Sequence, residues 1–140
     1  MKRLKIALIL YCVLLIHPAS ADVALVTPQV QGGIEFVTGG VDVEEYKAMR
    51  AIQGNYNLHL LFAANGTGEY LADVMVKIMT SSGKTILDTV SEGAYLYAKL
   101  PPGHYSLIAD SDGHVIKKTI SVSNKHGVLV PLYFPQKKGD

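Results

Sequence analysis

The sequence predicts an all-β protein, a seven-stranded antiparallel β-sandwich with one short N-terminal helix. Three observations predict it. Apolar residues alternate with polar ones from Leu71 to Asp110, and the turn-forming strings SSGK, SEGA and PPGH interrupt that stretch at short intervals. No cysteine follows Cys12, so a buried core has to hold the fold without disulfides. At this length one domain buries roughly two thirds of its unfolded surface, which makes such a core sufficient.

Taken in order, Lys2, Arg3 and Lys5 precede an apolar run from Ile6 to Ile16, and Ala19-Ser20-Ala21 supplies the small residues of a signal-peptidase site. Residues 1–21 read as a signal peptide, cleaved after Ala21. The run is shorter than the roughly 20 residues of a bilayer-spanning helix. Cys12 leaves with it and lacks the small residues of a lipoprotein site, so no stable membrane anchor is expected. The mature chain is expected in the periplasm or outside the cell. It keeps 10 of the 13 Lys and Arg against 12 Asp and Glu, a charge without the basic stripe that would hold nucleic acid through its phosphates.

Residues 22–54 form an N-terminal arm and the helix. Pro28 and the glycine pairs at 32–33 and 39–40 predict an irregular or loosely strand-like arm up to Val41. Asp42 followed by Glu45 resembles a capping box, and Val43, Tyr46, Met49 and Ile52 recur at helical spacing until Gly54 stops them. From Asn55 the period changes to two, and residues 55–134 are assigned to the sandwich. Tyr56, Leu58, Leu60 and Phe62 share one face of its first strand. Asn65-Gly66 predicts a tight hairpin turn, Val74, Val76 and Ile78 the next core face, and Ser81-Ser82-Gly83 another turn. Further strands carry Ile86, Leu87 and Val90, then Leu96, Ala98 and Leu100. In LPPGHY, Pro102 presets φ and Gly103 supplies a positive φ. Tyr105, Leu107 and Ala109 follow, then a turn at Asp112-Gly113, then Ile116, Ile120 and Val122. A last strand runs from Val128 to Tyr133, and residues 135–140 are a polar tail.

The string VMVKIMTSSGKTILDTVSEGAYLYAKLPPGHYSLIAD resembles the carboxypeptidase regulatory-like domains. Val74, Val76 and Ile78, then Gly83, Gly93, Leu100, Pro102, Gly103, Tyr105 and Leu107 carry the likeness. The resemblance implies a transthyretin-like sandwich of seven strands. The preceding GGVDVEEYKAMRAIQGNYNLHLLFAANGTGEYLADV is similar to the leading segment of small exported bacterial proteins of this type. In carboxypeptidases the unit is an accessory beside the peptidase, so the resemblance implies no activity of its own. Transthyretin-related hydrolases carry a C-terminal Y-R-G-S, whereas this chain ends LYFPQKKGD and keeps one arginine, Arg50, after the signal.

No catalytic set emerges from the residues, and neither a metal site nor a cofactor is expected. His59, His104, His114 and His126 lack the spacing of a compact metal motif. Asp110-Ser111-Asp112-Gly113 lacks the further acidic ligands of a calcium loop, and no serine lies in a nucleophile elbow. Tyr95 and Tyr97 stand on one face of a strand, opposite Leu96 and Ala98, and are the candidate binding residues, provided that the helix does not cover them. The expected function is therefore non-catalytic binding, to an envelope protein or a carbohydrate. Two alternatives are a small transthyretin-related hydrolase and a periplasmic metal-binding protein, the latter requiring His104 and His114 to converge.

Overall fold

The computed structural model describes residues 24–136, so the expected signal peptide and the end of the polar tail lie outside the described residues. Nine strands and one helix follow in the order β1 (Gln29–Gln31), β2 (Ile34–Gly39), α1 (Val43–Ile52), β3 (Leu58–Ala64), β4 (Val74–Thr80), β5 (Thr85–Ser91), β6 (Tyr95–Lys99), β7 (Gly103–Ser111), β8 (His114–Val122) and β9 (Val128–Phe134). They form a five-stranded sheet, β1-β2-β6-β3-β9, and a four-stranded sheet, β5-β4-β7-β8. Leu58, Leu60, Phe62, Leu96 and Leu132 of the first sheet share one buried cluster with Val74, Val76, Ile78, Leu87 and Leu107 of the second. The alternation visible in the sequence thus sends one side of β3 to β9 into a common interior, whereas β1 is exposed along its length.

The strand count corrects the expected seven. Seven strands follow the helix, and β1 and β2 are additional, built from the arm that lacks a clear period. Pairing supplies what local propensity does not: β2 lies between β1 and β6, with Phe36 opposite Ala98 and Val37 opposite Tyr97. The sheet is also not wholly antiparallel, because β9 runs parallel to β3, with Leu58 opposite Val128 and Phe62 opposite Leu132. Parallel partners need a long connection, and β4 to β8 provide it.

Asn65-Gly66 turns the chain back on β3 only briefly, through the antiparallel bridge of Ala63 with Tyr70, where Ala64 N donates to Glu69 O at 2.7 Å and Leu71 N to Phe62 O at 3.1 Å. Gly66 and Gly68 have positive φ, but the chain leaves β3 for β4 in the opposite sheet, and the Asn65 amide donates to Phe134 O at 2.7 Å. Asp112-Gly113 is the tight turn between β7 and β8. Its φ values of 50° and 86° are the two positive angles of a type I′ hairpin.

The LPPGHY segment carries the chain from β6 in one sheet to β7 in the other. Gly103 has the expected positive φ, 158°, an angle that L side chains rarely adopt, although it lies far from the value of about 80° of a type II turn. A side-chain strut holds the crossing: the Tyr105 hydroxyl donates to Pro101 O, four residues upstream, in the manner of the tyrosine corners of β-sandwiches. Asn57 adds a clamp, accepting from Leu100 N at 2.9 Å and donating to Leu100 O at 2.7 Å.

The helix begins where the sequence places it. Asp42 caps it by accepting from Glu45 N at 2.8 Å, while Glu45 Oε1 accepts from Gly40 N at 2.9 Å, so two otherwise orphaned donors are satisfied. Met49 is the helix's buried residue and packs with Val37, Tyr56 and Tyr97 in a second cluster. This cluster lies on the outer face of the five-stranded sheet.

Candidate functional site

The helix covers half of an aromatic face and leaves the other half open. Tyr97 is 3% exposed, buried under the helix, while Tyr95 is partly buried and Tyr70 is 57% exposed. The two candidate residues therefore share a strand face but not an environment. Burial follows from where α1 crosses β6, a tertiary fact that period-two spacing does not carry.

Tyr95 is the centre of the open half. Its ring lies 5.6 Å from that of Tyr46 on α1, 5.8 Å from that of Tyr70 and 6.2 Å from that of Tyr97. These separations are those of tilted and edge-to-face aromatic pairs. The Tyr95 hydroxyl donates to the Tyr70 hydroxyl at 3.3 Å. Burial, then that hydrogen bond, pushes the Tyr95 phenol up from its ordinary value. Tyr97 is raised as well, mainly by burial and then by Tyr46, with Arg50 pulling the other way. Arg50 stands 5.9 Å over the Tyr46 ring and reaches its hydroxyl at 3.4 Å. The set is a packed, neutral ring surface with one cation at its margin.

Hollows flank Tyr46 on two sides. One of 410 Å³ is lined by Val41, Val43, Tyr46 and Tyr70, and one of 180 Å³ by Arg50, His59, Leu61, Tyr95 and Leu129 among others. Val41, Val43 and Leu129 are all more than half exposed, so the rings continue into an aliphatic rim. Sequence reasoning missed Tyr70 as a member. It follows the Asn65-Gly66 turn, and a bridge between Tyr70 and Ala63 folds it back over β3. Tyr46 was legible as a residue of the helix face turned toward the sheet.

The histidines are dispersed. His104 pairs with Ser121 and His114 with Ser111, at opposite ends of the β7/β8 ladder. His59 is buried, donates from Nε2 to Gln53 O at 2.9 Å, and meets the Tyr97 ring edge-on at 4.9 Å. Among the described residues, no three His, Cys, Asp or Glu side chains lie close enough together to hold a metal ion. Nor is any helix among them long and apolar enough to cross a membrane.

These features define a two-sheet β protein with a helix laid on one outer face and a tyrosine surface beside that helix. Residues 56–132 match the model of the Rhizobiales growth-associated tandem repeat domain, more than half of the chain, and the protein belongs to that family. No curated protein matches the chain significantly.

Proposed function

We propose that this protein is an exported, non-catalytic binding module that recognises another envelope protein through Tyr46, Tyr70 and Tyr95. The observation that carries this reading is the set of tilted and edge-to-face rings continuing into exposed Val41, Val43 and Leu129. Rigid aromatic anchors with an aliphatic surround supply contact area at low entropic cost, and tyrosine is enriched at such interfaces. Two packed sheets, the crossing at LPPGHY and the Tyr105 strut support membership of the transthyretin-like, carboxypeptidase regulatory-like class, whose units are accessories without chemistry of their own. The metal-carrier alternative draws no support from His104 and His114. Export rests on the composition of residues 1–21.

A photo-crosslinking residue at position 70, introduced into the exported protein in its own cells, tests the reading. A discrete protein adduct is expected, absent when the crosslinker stands at Thr119 on the far sheet and weakened by Tyr46→Ser. No adduct from position 70, or the same adducts from both positions, overturns it.

A further inference from the structure

A second surface lies on the same outer sheet face, beyond the last turn of the helix, and it has the opposite character. Its floor is the cross-strand pair Glu35 and Lys99 on β2 and β6, and its walls are the segments around Asn55 and around Asn124-Lys125. A depression of 680 Å³ there adjoins one of 450 Å³ that runs toward Pro101-Pro102, and the two share Glu35, Lys99 and Asn124. Each falls within the size range of small-molecule sites, about 300–1,000 Å³. The result is one long, open groove, polar around Glu35, Lys99 and Asn124 and more apolar toward Pro101-Pro102.

Its chemistry is selective. Glu35 is acceptor-only, Lys99 and Lys125 are donor-only, and Asn55 and Asn124 offer both functions. Hydroxyl groups, which donate and accept at once, suit such a mixed lining. The one aromatic residue here, Tyr56, is 5% exposed and its hydroxyl donates to Glu35 Oε1 at 3.0 Å, so no ring face is offered for stacking a nucleobase. Charge adds a second requirement. Among the described residues neither Lys99 nor Lys125 forms an ion pair, and the single carboxylate already receives the Tyr56 proton donor. The groove therefore favours a ligand that carries negative charge along with its hydroxyls.

The groove is also set in advance of binding. Asn57 ties the wall at the start of β3 to Leu100 through both backbone groups and reaches Asn124 Oδ1 at 3.4 Å. Loops already joined in this way lose little further freedom on binding. From these observations we infer that the groove binds a carboxylated glycan, its hydroxyls held by Glu35, Asn55 and Asn124 and its carboxylates by Lys99 and Lys125. The two obvious sources of that chemistry are a uronic acid polymer and a lactyl-bearing amino-sugar chain.

The full chain, labelled for NMR, is titrated with oligogalacturonate, with the disaccharide of N-acetylglucosamine and N-acetylmuramic acid, and with neutral chitohexaose. One acidic ligand is expected to shift the signals of Asn55, Asn124 and Lys125 saturably, and which of the two does so identifies the source. Chitohexaose is expected to bind at least about tenfold more weakly. Lys99→Gln with Lys125→Gln, both on exposed side chains, is expected to lose about tenfold or more in affinity for the acidic ligand, because charge-assisted bonds are lost. Glu35→Gln keeps an acceptor, removes the one negative charge, and is expected to bind the acidic ligand at least as tightly as the parent. Equal affinity for chitohexaose, an unchanged affinity in the double lysine variant, or no shifts at these residues with either acidic ligand overturns the inference.

Discussion

At the scale of single residues, neighbouring tyrosines on one strand face have unlike fates. Tyr97 is buried against Val37, Met49 and Tyr56, so Tyr97→Ser is expected to destabilise the fold by roughly 3 kcal/mol, the usual loss on truncating a buried aromatic ring. Tyr70→Ser, at an exposed ring, is expected to change stability by no more than about 0.5 kcal/mol. Urea unfolding of the two variants checks the contrast, and equal losses would show that the helix does not shield Tyr97. Tyr56 yields a prediction in pH. Burial, then the hydrogen bond and charge of Glu35, pushes its phenol up to about 12, whereas an unfolded tyrosine ionises near 10. The folded chain thus keeps a proton that the unfolded chain gives up between those values. This group's contribution to stability is complete below about pH 10 and is lost as pH rises through about 12. The melting temperature of Tyr56→Phe is expected to fall less steeply than that of the parent over this interval. Parallel curves would mean that Tyr56 ionises as an ordinary phenol.

Elements show how much local sequence can determine. The helix boundary was legible because Asp42 and Glu45 satisfy backbone donors within a few residues of themselves, and the Asp112-Gly113 hairpin because its two positive φ values are a local demand. β1 and β2 were not legible, since pairing with β6 makes them strands, and neither was the destination of the chain after Asn65-Gly66, since a turn does not specify a sheet. The tyrosine surface was half legible for the same reason: alternation put Tyr95 and Tyr97 on one face, and only the packing of α1 separates them. Sheet edges depend on tertiary structure too. The parallel register of β9 on β3 turns the backbone groups of Leu129, Pro131 and Tyr133 toward the open side. Pro131 removes the central donor of that row, and Lys118 Nζ donates to Pro131 O at 3.2 Å. On the β5 edge, the Gln31 side-chain amide accepts from Asp88 N at 2.7 Å and donates to Asp88 O at 3.1 Å. Edge prolines and lysines of this kind discourage strand-to-strand association. Replacing Pro131 and Lys118 together by valine is therefore expected to promote self-association, seen as a concentration-dependent rise in sedimentation coefficient beyond that of the parent. Identical sedimentation of the two chains would rule out this role for the pair.

For the whole molecule, the family match and the physical unit differ in extent, and the difference has a consequence for folding. The matched segment starts at Tyr56 and stops at Leu132, but the common core also takes Ile34 and Phe36 from β2 and Phe134 from the end of β9. The second cluster takes Val37 and Met49 from the arm and helix. Gly93 shows how closely the arm is fitted, because a Cβ there would overlap the backbone carbonyl of Gly39. Each large apolar side chain withdrawn from such a core removes about 1.5–3 kcal/mol of burial, and a domain's net stability is only about 5–15 kcal/mol. Five such residues would exhaust it, even before the backbone bonds of β2 to β6 are lost. A chain of residues 56–132 alone is accordingly expected to show no cooperative thermal transition and a poorly dispersed amide spectrum, while residues 24–136 melt in one sharp step. If the shorter chain also melts sharply with a dispersed spectrum, the arm and helix are an addition to a self-sufficient repeat, and the burial of Tyr97 beneath α1 has to be explained by what the helix does for binding instead of by what it does for the core.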